Sequence, residues 1–392
     1  VQGTHAIPPG MNLGASLPLI PPTGGRAGSE TDRMEKPRGR LIVYWGCDAN
    51  VRAGQPRVVD VATNAAAFGT AMMGRYGSGR GALGVPGQSF EQAQRFRNKD
   101  LMKQALSAGG VRVPRHAVAT TAKEVWAGAE IIGYPLILKP IAGAGSMDTF
   151  RCDDAADVAH AIAQLGHIAE VDVEEFIEAE EFTFDTICAN GEMQYFHIGF
   201  YRPRPLIART NEWISPQTLS YRHVDDPWVA GGRAMGAQVI KVLGYDTGFT
   251  HMEWYRKADG EVVFGEIGAR PPGARTVDLM NFASDVDLFA GWAEAELHGT
   301  FSLEIERKYN CACITKRALG QGRISRIDGL DSLRRRLGDA ICTVDLLPIG
   351  APRRDWKSTL LSDGYVTVRH PDWQTTIEMA DLVGTDLQLY AS

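Results

Sequence analysis

The residues from Thr247 to Phe264 constrain the fold most, because they set a register as well as an element. Two apolar, β-favouring runs flank Asp259-Gly260, a dipeptide suited to the positive-φ positions of a two-residue hairpin turn. With that turn Ala258 faces Glu261, and counting back along both strands puts Glu253 directly opposite Glu266. Opposed side chains have Cβ atoms about 5 Å apart, so two carboxylates there repel unless a cation neutralises them. Phe249, Met252, Trp254, Val262, Val263 and Phe264 surround the pair, which argues against screening by water. A hard divalent ion resolves the conflict, since Mg²⁺ takes one or two carboxylates and completes its octahedron with phosphate oxygens and water. A surface hairpin with solvated acids could carry the same pair. Here, however, the strand continues on one face through Gly268 to Arg270, whose planar fork suits a substrate carboxylate or a developing oxyanion.

Two further constellations are compatible with a nucleotide, although taken singly the first also reads as an ordinary flexible turn and the second as a plain strand with solvated acids. In Lys139-Pro-Ile-Ala-Gly-Ala-Gly-Ser146 a strand ends in lysine and runs into a small-residue loop, so a point charge and approachable backbone amides lie together. The lysine precedes Gly143, Gly145 and Ser146, which excludes the G-x-x-x-x-G-K-[ST] phosphate loop. In Val173-Glu174-Glu175-Phe176-Ile177 an extended apolar segment can offer backbone groups to an adenine edge, and Glu181 a few residues on can accept from ribose hydroxyls. Lys99 and Lys103 share a helix face at i, i+4, an arrangement that repels unless solvated or given an anion.

The rest of the chain supplies a mixed α and β frame. Ser89 and Gln92 form a capping box that opens a helix expected to run to Gly109. Helices follow over about 121–132, 154–165, 227–243 and 284–297, and strands over 41–45, 135–139, 171–187 and 193–201. The last ninety or so residues alternate short strands such as 310–315 and 364–369 with turns. At 392 residues, 44% hydrophobic and 22% charged, the chain suits a globular enzyme of two or three units. A net charge of −6 and the absence of a dense basic face argue against nucleic acid. The Arg334-Arg335-Arg336 cluster reads as a solvated helix face. The six cysteines suggest neither a disulfide framework nor a zinc site. With no membrane-length apolar run and no signal-peptide core at the start, a cytoplasmic location is expected.

In this order, Arg97-Asn-Lys-Asp-Leu-Met-Lys103, Tyr134-Pro-Leu-Ile-Leu-Lys-Pro140 with its Gly143-Ala-Gly-Ser146 loop, Val173 to Thr183, Met252-Glu253 and Glu266-Ile-Gly-Ala-Arg270 resemble the ATP-grasp superfamily. The match runs from about Gly87 to Gly299, and within the superfamily it is most similar to carboxylate–amine ligases related to amino-acid ligases and biotin carboxylase. The resemblance implies a three-part α/β and α+β fold. Its parts are an irregular lead-in and short N-terminal α/β domain (1–39 and 40–93), a two-lobed grasp (94–300, lobes 94–172 and 173–300) and a β-rich C-terminal domain (301–392). It implies that Lys103, Lys139 and the loop at Gly143, Gly145 and Ser146 hold ATP phosphates. The segment Glu174, Glu175, Phe176 and Ile177 holds adenine, Glu181 holds ribose, and Glu253 and Glu266 hold Mg²⁺, with Mn²⁺ as an alternative. Arg270 falls where the family binds the substrate carboxylate, with Gly273 and Arg275 beside it. Gly268 departs from the amide that is the family's usual third metal ligand, and Ala179 and Pro272 replace common glycines.

The expected reaction is ADP-forming amide or peptide bond formation through an acyl phosphate, with Arg270 and Lys139 as the catalytic charges. The partners expected are a small carboxylic acid and an amine, neither nucleic acid nor membrane, with a homodimer allowed. Alternatives on the same fold are a kinase, a thiol ligase or a catalytically silent nucleotide-binding protein.

Overall fold

The computed structural model describes residues 87–142, 148–357, 359 and 361–392. The strand expected over 41–45, with the lead-in and all but the end of the N-terminal unit, lies outside them, as do Gly143, Gly145 and Ser146. Helix α1 (Phe90–Arg95) starts on Ser89, whose hydroxyl accepts from the Gln92 amide at 3.1 Å. Gln92 turns its Nε2 to the Gly244 carbonyl instead of closing the expected box. The helix does not run on to Gly109. It breaks after Arg95, and Asn98 caps a second helix, α2 (Lys99–Ala108), by accepting from the amides of Asp100 and Leu101.

The next elements form a small lobe: β1 (His116–Ala119), α3 (Ala122–Ile132), β2 (Leu136–Pro140), β3 (Phe150–Cys152), α4 (Ala155–Gln164) and β4 (Val171–Glu175). Its antiparallel sheet has the order β1-β4-β2-β3. Val125, Ala129 and Ile132 of α3 and Val158 and Ala161 of α4 pack on Leu136, Leu138 and Val173.

A larger sheet takes β5 (Glu180–Ala189), β6 (Glu192–Arg202), β7 (Gln217–Tyr221), β8 (Gly248–Arg256) and β9 (Val262–Gly268). Between these strands come α5 (Pro205–Thr210) and α6 (Pro227–Leu243), and after them α7 (Thr276–Ser284) and α8 (Leu288–His298). Helix α8 matches the expectation for 284–297, whereas α7 was not anticipated. The C-terminal stretch holds β10 (Asn310–Thr315), β11 (Leu319–Gly320), β12 (Ile324–Asp328), α9 (Leu330–Leu337), β13 (Ile341–Leu346), β14 (Gly364–His370), α10 (Trp373–Asp386) and β15 (Gln388–Ala391). Its strands β10, β13 and β14 continue the large sheet, giving an eight-stranded antiparallel order β13-β14-β10-β7-β6-β5-β8-β9, while β11, β15 and β12 form a small sheet. Among the described residues no helix is long and apolar enough to cross a membrane.

Strand alternation divides the large sheet into a packed face and a polar one. Phe182 and Phe184 of β5, Met252 and Trp254 of β8 and Phe264 of β9 join Val229, Val239 and Leu243 of α6 in the largest core cluster. The intervening residues Glu181, Thr183, Asp185, His251 and Glu253 face the other way. Trp254 is fully buried and stacks on Phe182 at 4.5 Å, and α6 approaches it closely only because position 232 is glycine. A Cβ there would lie 2.1 Å from the Trp254 ring. Gly232→Ala is therefore expected to destabilise the fold by about 2 kcal/mol, read as a lower denaturant midpoint; an unchanged midpoint would mean that α6 can back away freely.

The hairpin register agrees with the expectation by an unexpected route. Glu253 does pair with Glu266, His251 with Gly268 and Met252 with Ile267. The turn is not the two-residue one read from Asp259-Gly260: Lys257 faces Glu261, and Ala258, Asp259 and Gly260 form a three-residue loop. Pairs near the loop are thus displaced by one, Trp254 opposing Phe264, until a bulge between Glu253 and Trp254 restores the count. Gly265 makes the bulge tolerable, since a Cβ there would meet the Glu253 carbonyl oxygen at 2.8 Å.

Candidate active site

The opposed glutamates sit at the end of the polar face, partly open, with side chains 26% and 28% exposed. Each already has a cation of its own. Lys99, at the start of α2, places Nζ 3.2 Å from Glu266, and His251 places Nε2 3.6 Å from Glu253. Burial opposes ionisation of Glu266, but Lys99 and Lys139 hold its carboxyl down at about 2. Repulsion alone therefore does not demand a metal, because protein charges do part of the work that sequence reasoning gave to one. Among the described residues no cluster of three or more His, Cys, Asp or Glu side chains is arranged to hold a metal. Two half-exposed carboxylates still fit a hard divalent ion whose remaining ligands are phosphate and water.

Beneath Glu253 runs a row of polar side chains that spans four strands. Asp185 on β5 lies directly between His197 on β6 and His251 on β8. It accepts from Nδ1 of His251 at 2.5 Å, Nδ1 of His197 at 3.1 Å and the Thr183 hydroxyl at 3.0 Å, and His197 reaches Ser220 on β7 through Nε2 at 2.9 Å. Burial works against the charges in this row. It is outweighed by mutual pairing, which holds Asp185 at about 2 and lifts His251 to about 9. Gly199 makes room for the row, as a Cβ there would lie 2.8 Å from the His197 ring.

On the small lobe, Lys139 donates to Glu174 at 3.0 Å. Burial opposes its charge, but Glu174 and Asp172 raise it above the ordinary lysine range, and that charge also reaches Glu266. Lys103, expected at the phosphates, is 1% exposed and sunk between Asp172 and Glu174. Lys99, one helical turn earlier, faces the opposed glutamates instead. Burial and the neighbouring Glu174 push Asp172 up against the pull of Lys103. Between the lobes, Glu175 is held by Arg112 and the Arg115 amide, and Phe176 lies under Arg151 at 4.3 Å. Burial, with Glu253 nearby, lifts Glu181 to about 7 despite its bond to Arg204.

Arg270 follows the end of β9 and donates Nη1 to the Pro271 carbonyl at 2.9 Å. Its side chain folds over Gly268, where a Cβ would come within 3.3 Å of Arg270 Cγ, so the glycine gives this arginine its space. Gly273 caps the turn into α7 by accepting from Thr276. Arg275 pairs with Asp278 and lies over the ring of Tyr365.

No family model matches the chain. It is 30% identical over 201 residues to an L-arginine-specific L-amino acid ligase from Bacillus subtilis, a stretch covering 50% of this chain and 48% of the relative. The chain spans about half the length of the curated relatives it matches. Among solved structures it resembles an L-amino acid ligase from Bacillus licheniformis, with a TM-score of 0.66 and 19% identity over 81% of this chain and 77% of that one. It also resembles a carboxyaminoimidazole ribonucleotide synthase from Aspergillus clavatus complexed with ATP, with a TM-score of 0.58 and 15% identity over 78% of each chain.

Proposed function

We propose that the chain is an ATP-grasp protein that uses ATP to join a carboxylate to an amine. The observation that carries the reading is the opposed Glu253–Glu266 pair with Lys99, Lys139 and Arg270 gathered about it. ATP would lie between the small lobe and the large sheet, its adenine against the 174–177 segment and its ribose on Glu181. Lys139 and Lys99 suit the phosphates; Lys103 is better read as the brace that holds Glu174, and through it Lys139, in place. Glu253 and Glu266 would hold Mg²⁺, which when bound screens phosphate charge and aligns the terminal phosphoryl group.

A substrate carboxylate aligned by Arg270 attacks the γ-phosphorus, the bond to the bridging oxygen breaks, and ADP and an acyl phosphate result. The amine then attacks the acyl carbon, phosphate departs with the C–O bonding pair, and the nitrogen gives its proton to phosphate or water. The chain's own residues supply position and charge, and no dedicated base is required. An amino-acid substrate is the favoured class, on the strength of the Bacillus subtilis relative's name.

Release of ADP, screened over amino acids and small carboxylates with products identified by mass, tests the reading. ADP release that needs both a carboxylate and an amine and yields an amide supports it; release without amide points to the kinase or thiol-ligase alternative. Two variants should separate nucleotide from metal. Lys139→Ala, which removes one charge-assisted phosphate contact, should weaken ATP binding about tenfold. Glu266→Gln should leave nucleotide binding nearly intact and raise the Mg²⁺ concentration required for turnover. Equal loss of ATP affinity in both, with unchanged Mg²⁺ dependence, would overturn the site assignment.

A further inference from the structure

We propose that Arg204 is a positioning residue that fixes the ribose-binding carboxylate and, by the same side chain, ties nucleotide occupancy to the α5 segment that follows it. The inference rests on the assignment of Glu181 to ribose given above. Arg204 immediately precedes α5, in no motif of the sequence. Its guanidinium donates Nε to Glu181 Oε2 at 3.1 Å and Nη1 to the Ile177 carbonyl at 3.1 Å. It lies over the rings of Phe176 and Tyr255, with centroids 5.3 and 5.2 Å away. One fork therefore grips the end of the inter-lobe segment and the carboxylate that follows it.

Glu181 needs such a partner. It is 8% exposed, and a carboxylate buried to that degree needs hydrogen-bond donors to fix its place, which Arg204 supplies at 3.1 Å. A guanidinium on one oxygen leaves the other to accept from ribose hydroxyls. Lysine could supply the charge but not the two-pronged contact or the broad face over the rings.

The same residue begins a segment held from the far side. Arg317 donates to the carbonyls of Ala208 at 2.9 Å and Asn211 at 2.8 Å, Arg209 donates to the Lys357 carbonyl at 3.1 Å, and Arg353 pairs with Glu212. Just before Arg204, residues Tyr201, Arg202 and Pro203 line a cavity of about 370 Å³ with Ser215, Gln217 and Asp381. Helix α5 thus stands between the proposed ribose carboxylate and loops of the C-terminal stretch, with Arg204 as its contact on the nucleotide side. A ribose that orders Glu181 also orders Arg204 and α5, and by linkage whatever orders α5 strengthens nucleotide binding.

Calorimetric titration with ADP and with 2′,3′-dideoxy-ADP tests the first half, and hydrogen exchange over residues 205–212 with and without ADP tests the second. The intact chain should prefer ADP, and ADP should slow exchange in α5. Arg204→Met should bind ADP about tenfold more weakly, lose most of the preference for ribose hydroxyls and lose the ADP-dependent protection, with Arg204→Lys recovering part of each. An unchanged hydroxyl preference together with unchanged protection in Arg204→Met would overturn the inference and leave Arg204 a packing residue. Glu181→Ala separates the two layers. If it abolishes the hydroxyl preference while Arg204→Met retains it, only the role of Arg204 falls. If Glu181→Ala itself keeps the preference, the ribose assignment falls and this inference with it.

Discussion

Replacing Arg270 by lysine should lower carboxylate-dependent turnover by on the order of 10² to 10³ while ATP affinity changes little. The position explains why a conservative change should matter. Arg270 lies two residues beyond Gly268, which pairs with His251, and its charge is felt at Glu266 and His251. It therefore stands beside the proposed metal carboxylates but off the small lobe, where Lys139 and the 174–177 segment, proposed for phosphate and adenine, lie. A carboxylate that attacks phosphorus must shed much of its water, and a bidentate guanidinium replaces that water in fixed geometry. The same fork then meets charge that builds on oxygen as the amine attacks. Lysine keeps the positive charge but holds it as a mobile point. ADP release measured against carboxylate concentration, with nucleotide binding measured separately, distinguishes this role from a structural one. If both Arg270→Lys and Arg270→Ala turn over near normally while their melting temperatures fall, Arg270 is a counter-ion for Glu266 and the substrate site lies elsewhere.

Arg270 and the glutamate pair could be found from sequence because the hairpin is local. Its pairs lie within about twenty residues of each other, and apolar alternation marks both strands. Even there the turn was misjudged, and Glu253 met Glu266 only because the extra loop residue is cancelled by the bulge at Gly265. Lys139 and Glu174 were legible as strand-end residues, and their adjacency follows from the pairing of β2 with β4. That Lys99, and not Lys103, faces the opposed glutamates was not legible. Both lie on one helix face and both are buried, and which carboxylates each of them meets depends on how α2 docks, a tertiary choice that i, i+4 spacing cannot make. Arg204 was missed for a similar reason, since its partners lie 23 and 27 residues away across two strands. The break between α1 and α2 was written locally, in Asn98, but the apolar pattern on both sides obscured it.

The row Ser220–His197–Asp185–His251 was beyond reach from sequence, because four strands contribute to it in the order β7-β6-β5-β8, which no local pattern announces. Its charge makes a stability prediction sharper than for any apolar core residue. Asp185 is completely buried, and its carboxylate compensates His251 while accepting from His197 and Thr183. Asp185→Asn keeps the shape but removes the charge, so His251 must give up its proton or stay unpaired in the interior, and one histidine then faces an amide that cannot accept from it. Breaking a buried pair from one side is strongly destabilising, and a loss of about 3 kcal/mol at neutral pH is expected. Ser220→Ala, which removes only a neutral partner of His197, should cost about 1 kcal/mol. The pH dependence follows from the carboxylate. Its folded value of about 2 lies below the ordinary aspartate value of about 3.9, so its contribution is complete above the ordinary value and is lost as pH falls through the folded one. The gap between the intact chain and Asp185→Asn should therefore be widest between about pH 4 and pH 6.5, narrow below that as the carboxylate is protonated towards about 2, and narrow above it as His251, lifted to about 9 by the same carboxylate, loses its proton. Denaturant midpoints measured across that range read it directly. A gap already closed at pH 6 would mean that Asp185 is not held as an anion by its histidines, and the row beneath Glu253 would then be a neutral hydrogen-bonded ladder with no electrostatic role at the site.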